Sequence, residues 1–250
     1  MLHDKNDEEI IKKIKKIKKI YKYNDKEMNE FTYKKALKYD KRNYCQFYFS
    51  LLKTKYILIF TFYTSNDYNS KIIKIDLFFI GFVANYAINA LFFSDDTMHK
   101  IYEDHGTFDI INQLPEITYS YLISSVYDFL LNLLALSEDD IILFKKIKKV
   151  LNLDNKAKCV KKKLDIKFLL YFIISFIFLL SFWYYLTLFC AVYKNTQWHL
   201  LKDTLVSFGF SLITPLVINL LPGIFRIPSL SDKNNKKNYL FKFSQLIQIF

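Results

Sequence analysis

The sequence predicts an all-α integral membrane protein, a bundle of four transmembrane helices, and three observations carry that prediction. The first is the run from Phe168 to Tyr193, FLLYFIISFIFLLSFWYYLTLFCAVY, twenty-six residues without a charge. At the α-helical rise it would reach about 39 Å, more than the ~30 Å hydrocarbon thickness of a bilayer. The second is segregation. Of 250 residues 52% are hydrophobic, and charge is expelled from several long runs and collected between them, whereas a soluble domain interleaves charge along its helix faces. The third is the placement of Lys and Arg: nine in residues 29–75, ten in 138–167 and five in 226–250, against one in the intervening loop 95–115 and two in 194–203. The positive-inside rule then puts both termini and the central loop in the cytosol, a parity that four crossings satisfy.

Taken in order, residues 1–73 read as a basic cytosolic segment. The chain opens with mixed charge and shows no early apolar core before a small-residue cleavage site, so insertion is expected to be directed by the first membrane helix rather than by a cleavable signal. Within 8–22, EEIIKKIKKIKKIYK, the residues Ile10, Ile14, Ile17 and Tyr21 recur at helical spacing on a lysine-rich helix. That pattern suits an anionic membrane surface and equally a solvated helix. Residues 46–66 hold two apolar halves split by Lys53 and Lys55. A lysine near the centre of a membrane helix costs roughly 2.5–3.5 kcal/mol on the insertion scale. An interfacial or re-entrant segment is therefore preferred there, with a fifth transmembrane helix as the alternative.

The four expected helices span 74–94, 116–137, 168–193 and 204–225, all within a transmembrane region of 74–225. Asn85 and Asn89 sit four apart in the first and share a face, where amides commonly bond to a neighbouring helix. The second carries Asp128. A carboxylate near mid-bilayer costs several kcal/mol unless it is protonated, paired or facing water, so it marks either a functional position or a buried polar contact, with Asn85 or Asn89 as partners. Residues 138–167 form a basic cytosolic loop. The fourth helix contains Pro215, which should kink it by removing a backbone donor. A basic cytosolic tail, 226–250, follows.

Candidate chemistry is sparse. His99, Glu103 and His105 in the acidic outer loop are weak metal-ligand candidates whose spacing matches no established metal motif; a solvated acidic loop is the plainer reading. His199 and Asp203 form a His-x-x-x-Asp, one residue short of the acyltransferase spacing. Cys45, Cys159 and Cys190 show no metal-ligand spacing and no disulfide framework. No catalytic residue and no cofactor is expected. The net charge of +12 could suit nucleic acid, but the lysines flank apolar runs, where topology and anionic lipid at the cytosolic face explain them. The expected partners are the lipid bilayer and other membrane proteins or a second copy, in the plasma membrane or an endomembrane. The expected role is a structural or receptor-like module. The alternatives are a channel or transporter subunit using Asp128 and, third, a membrane-embedded enzyme.

The order of the pieces also carries a resemblance. A basic lead with Ser70, Lys71 and Lys74, a helix ending Asn89-Ala90-Leu91-Phe92-Phe93, an outer loop, a helix with Leu122-Ile123-Ser124-Ser125, a basic cytosolic loop, an aromatic helix and a Ser207-Phe208 helix with Pro215 follow one another. Over residues 42–228 this resembles the carboxy-terminal multi-pass region of large uncharacterised protist membrane proteins and, more distantly, the transmembrane region of polycystin-1-like proteins. The stretch between Tyr193 and Ser207 is shorter than in the polycystin pattern, and the glutamines that accompany that family's proline are missing. The resemblance implies a membrane module of a receptor or channel-associated protein, and it does not imply a pore.

Overall fold

The computed structural model describes residues 23–93, 95–103, 110–146, 153–194, 196–231 and 237–248. The lysine-rich stretch 8–22 and His105 lie outside the described residues. Among the described residues the chain is helical, without strands. The helices are α1 (Asp25–Asn29), α2 (Tyr33–Tyr39), α3 (Tyr44–Lys55), a π-helical turn (Ile59–Tyr63), α4 (Lys71–Leu91), α5 (Asp95–Glu103), α6 (Ile110–Ala135), α7 (Glu138–Lys146), α8 (Leu153–Val192), α9 (Gln197–Ile218), α10 (Leu220–Ser231) and α11 (Asn238–Ile247). Three stretches are long and apolar enough to cross a membrane: Lys71–Leu91, Asn155–Val192 and Gln197–Ser231. A fourth joins them if Leu114–Ala135 and Glu138–Lys146, bent by 49°, are counted as one span. Two compact units are formed, one from Lys55–Ile218 and one from Met1–Thr54 with Asn219–Phe250.

In the Lys55–Ile218 unit, α4 and α6 pack on each other and each also packs on α8 and α9. Ile73, Leu131, Ala135 and Tyr171 fill one end of this bundle, and Ala90, Phe93, Phe189 and Leu200 the other. Helix α4 begins three residues before the expected 74, behind Ser70 at its N-cap. Lys74 does not mark a water boundary. It is 1% exposed, its ammonium donating to the Thr64 carbonyl at 2.7 Å and to Asp67 at 3.2 Å, so its charge is satisfied inside the protein. Helix α8 starts fifteen residues before the expected 168, because the lysine-rich stretch continues the same helix. Lys163 and Lys167 from that extension reach Asp140 of α7 at 2.7 and 3.1 Å, and Lys167 also donates to the Leu136 carbonyl at 2.6 Å. The break between α6 and α7 is held by Asn69, whose side-chain oxygen accepts from the backbone N–H groups of Ser137 (3.0 Å) and Glu138 (3.1 Å), donors that a helix start leaves open. Helix α6 runs from Ile110 through Pro115, earlier than the expected 116, and α9 starts at Gln197 rather than 204.

The stretch 46–66 forms no single long helix. Helix α3 has twelve residues, about 18 Å at the helical rise and short of the ~30 Å needed to span. Tyr56 breaks it from the helical turns that follow.

The second unit brings together two segments expected to be separate basic tails. Its helix α1 opens with a capping box, the Asn24 side chain accepting from the Glu27 N–H at 2.8 Å and the Glu27 carboxylate accepting from the Asn24 N–H at 3.0 Å. Its centre is Arg226 of α10, fully buried. The guanidinium donates to Asp40 at 2.9 and 3.2 Å and to the carbonyls of Met28 (2.8 Å) and Asn29 (3.1 Å), and it lies against the rings of Phe47 and Phe241 at 4.8 and 4.7 Å. Arg42 holds the same carboxylate at 2.7 and 2.8 Å. Burial alone would raise the Asp40 carboxyl, but the hydrogen bonds and charges of Arg42 and Arg226 outweigh it and keep it below the ordinary carboxylate value. Gly223 is required by close approach: a Cβ there would stand 2.6 Å from the Tyr44 ring, whose hydroxyl donates to the Leu220 carbonyl at 2.9 Å.

Candidate functional site

Three helices of the bundle carry polar or small residues in rows four apart: Gly81, Asn85 and Asn89 on α4; Ser120, Ser124 and Asp128 on α6; Asp203, Ser207 and Ser211 on α9, the last row ending at Pro215. Residues four apart share a helix face, and α4, α6 and α9 pack mutually, so the rows meet inside the bundle. Asn85 is the junction. Its side-chain oxygen accepts from the hydroxyls of Ser124 (3.1 Å) and Ser207 (3.2 Å), tying all three helices through one amide. One turn further along, the Asn89 amide donates to the Thr204 hydroxyl at 3.1 Å, which donates to the Leu200 carbonyl at 2.8 Å. The two asparagines thus bond across helices to hydroxyls and not to Asp128.

Asp128 stands apart from that network. Its carboxylate makes no hydrogen bond or ion pair among the described residues, and it packs on Gly81, where a Cβ would lie 3.0 Å from one of its oxygens. It lines a cavity of about 180 Å³, shared with Lys55, Asn85, Ser124, Ser211 and Pro215 and closed by the rings of Phe78, Phe82 and Phe208. The Phe82 and Phe208 rings meet edge to face at 5.3 Å. Lys55, one of the two lysines that interrupt 46–66, borders this cavity and remains exposed. Partial desolvation holds its ammonium below the ordinary lysine value. A larger, mainly apolar cleft of about 620 Å³ runs between α4 and α8; Asp76 at its edge accepts from the Tyr171 hydroxyl at 2.7 Å.

At the opposite end of the rows, His199 and Asp203 are both buried, and neither oxygen of Asp203 finds a hydrogen-bond donor among the described residues. Glu116 lies close enough to act on Asp203 electrostatically, and it accepts from the Thr97 hydroxyl. His99 and Glu103 of α5 do meet, at 3.0 Å, but both are exposed. Among the described residues no three His, Cys, Asp or Glu side chains converge as a metal site.

Sequence reasoning singles out Asp128, Asn85, Asn89 and Pro215. It missed Gly81, Lys55 and Thr204 as parts of one site and treated the serines only as landmarks. The signal lay in the i+4 rows on α6 and α9, whose polarity is weak residue by residue and becomes visible only when the rows are aligned. Together the fold and the site define a helical membrane protein with a hydroxyl- and amide-lined interior. The chain matches no family model, no curated protein and no solved structure.

Proposed function

We propose that this chain is a four-crossing membrane module, with both termini cytosolic, that serves a structural or receptor-like role by assembling with other membrane subunits or with a second copy. One observation carries the reading. Trp183 and Tyr184, 70% and 69% exposed, point outward from α8, about 5 Å from the midpoint of the charge-free run by the helical rise. Neither the indole N–H nor the phenol O–H has a hydrogen-bond partner among the described residues, and in hydrocarbon an unmet donor is costly. Ser181 and Thr187 flank them on the exposed surface. A partner helix offering acceptors would satisfy these groups. The resemblance to protist and polycystin-1-like membrane regions is consistent with a receptor- or channel-associated module, in the plasma membrane or an endomembrane. The test is the mass of the complex in mild detergent. The wild-type chain should run as an oligomer or with a partner, and Trp183→Leu with Tyr184→Phe should shift it toward the single 30.0 kDa chain. A wild-type chain that is already single, or a variant that leaves the complex intact, defeats the proposal.

A second reading, a transporter or channel subunit using Asp128, is favoured by the cavity. An intramembrane carboxylate facing a chamber between packed helices is the usual place for a substrate or coupling ion. It is tested by ion and solute flux in vesicles, which Asp128→Asn should abolish.

A further inference from the structure

We propose that the cleft between α4 and α8 is a binding site for a sterol, with the sterol hydroxyl held between Asp76 and Ser175 and the fused rings lying along the apolar walls. The inference goes beyond assembly and transport, because it assigns a lipid ligand to the outer face of the bundle. Helices α4 and α8 pack side by side and run in the same direction, since Ile73 clusters with Tyr171 at one end and Ala90 with Phe189 at the other. The cleft of about 620 Å³ between them has two polar lining residues, Asp76 and Ser175. The Asp76 carboxylate accepts one hydrogen bond among the described residues, from the Tyr171 hydroxyl at 2.7 Å, whereas a carboxylate has acceptor sites for about four. The Ser175 hydroxyl, one helical turn beyond Tyr171, is 4% exposed and has no hydrogen-bond partner among the described residues. An unmet donor in such a position is costly. A single ligand hydroxyl, donating to Asp76 and accepting from Ser175, satisfies both.

The occupant comes from the bilayer. Phe79, Phe172 and Phe176 line the cleft and are exposed on the surface that two membrane-spanning helices turn outward, so a lipid is the molecule with direct access. Apolar contact alone selects nothing there, because lipid tails are as apolar as the walls. The polar end and the shape select instead. A phospholipid would bring its phosphate towards the Asp76 carboxylate, like charge against like charge. Its acyl chains also fit poorly. The walls run from Asp76 to Val83 on α4 and from Phe172 to Leu179 on α8, about 10 Å by the helical rise, whereas an acyl chain covers half of the ~30 Å hydrocarbon thickness, about 15 Å. Such a chain has many rotors to freeze and a fused-ring body has none, so the rigid lipid gives up less on binding. The three phenylalanine rings offer flat faces to that body. A volume of about 620 Å³ falls within the ~300–1,000 Å³ of small-molecule sites.

The experiment is photolabelling of the full chain in phosphatidylcholine nanodiscs by cholesterol carrying a diazirine on its rings, with the labelled residues located by peptide mass spectrometry. Label should concentrate on the cleft-lining residues of α4 and α8 and saturate with probe. Unlabelled cholesterol should compete. Its 3-ketone, which can accept from Ser175 but cannot donate to Asp76, should compete at least about tenfold less well, because the charge-assisted bond is lost. Asp76→Asn should weaken cholesterol at least about fivefold and Ser175→Ala about threefold. Val83→Trp, which fills the far end of the cleft and leaves both polar groups in place, should remove the saturable labelling, and it decides the matter if Asp76→Asn loses its helical circular dichroism. Label spread evenly over the exposed faces of α8, equal competition by the ketone, indifference to Asp76→Asn, or saturable labelling that survives Val83→Trp overturns the proposal. So does octadecylamine competing more strongly than cholesterol, which would mean that the carboxylate takes an ammonium lipid.

Discussion

Replacing Arg226 with Met tests the centre of the smaller unit. The change keeps an unbranched side chain of similar length and deletes the guanidinium, and with it the bonds to Asp40 and to the Met28 and Asn29 carbonyls. Breaking a buried ion pair on one side typically costs about 3–5 kcal/mol, because the partner group stays buried without its counter-charge. Arg42 still holds Asp40, which places the expectation at the lower end, about 3 kcal/mol. Since each ~1.4 kcal/mol is a factor of ten, amides of α2 and α10 should exchange roughly a hundredfold faster by native-state hydrogen exchange, a readout of local opening. Trp183 and Trp198 both belong to the other unit, so tryptophan fluorescence should not change and serves as the internal control. Asp40→Asn with Arg226→Met, which removes both charges, should lose less than the two single changes added together. Exchange in α2 and α10 within a factor of about three of wild type, under 1 kcal/mol, would refute the reasoning.

The same cluster sets a pH response. Asp40 titrates lower when folded than when unfolded, so its contribution is fully present above the unfolded carboxylate value of about 4 and is lost as pH falls through the lower folded value; exchange protection of α2 and α10 should hold from neutrality to about pH 4 and decline below it. Asn85→Ala removes the acceptor shared by Ser124 and Ser207. Interhelical side-chain bonds in membranes average ~0.6 and reach ~1.7 kcal/mol, so a loss of about 1–3 kcal/mol is expected by SDS-titrated unfolding of the bundle, and a loss near zero would deny Asn85 its role as junction. Cys159 is exposed on the lysine-rich extension of α8; in a background with Cys45 and Cys190 replaced by Ser, an impermeant maleimide should label it only after cells are permeabilised, and labelling of intact cells would invert the proposed topology.

What the sequence by itself determined is the solvent. The charge-free run 168–193, the apolar stretch of α4 and the lysine distribution are one-dimensional signals, because hydrocarbon thickness translates directly into a count of residues without charge. Asp128 and the asparagine pair were legible for the same reason, as polar residues where apolar ones belong. Tertiary structure decided everything that depends on which polar groups find each other. Lys74 and Arg226 each read in sequence as a charge that should seek water, yet each is buried against a carbonyl or a carboxylate supplied from elsewhere in the chain. The burial of a charge depends on the partner's position in space, and residues 40 and 226 carry no mark along the chain that they will meet. The chamber at Asp128 is of the same kind: its glycine, serines, proline and lysine come from four helices, and only packing turns them into one site.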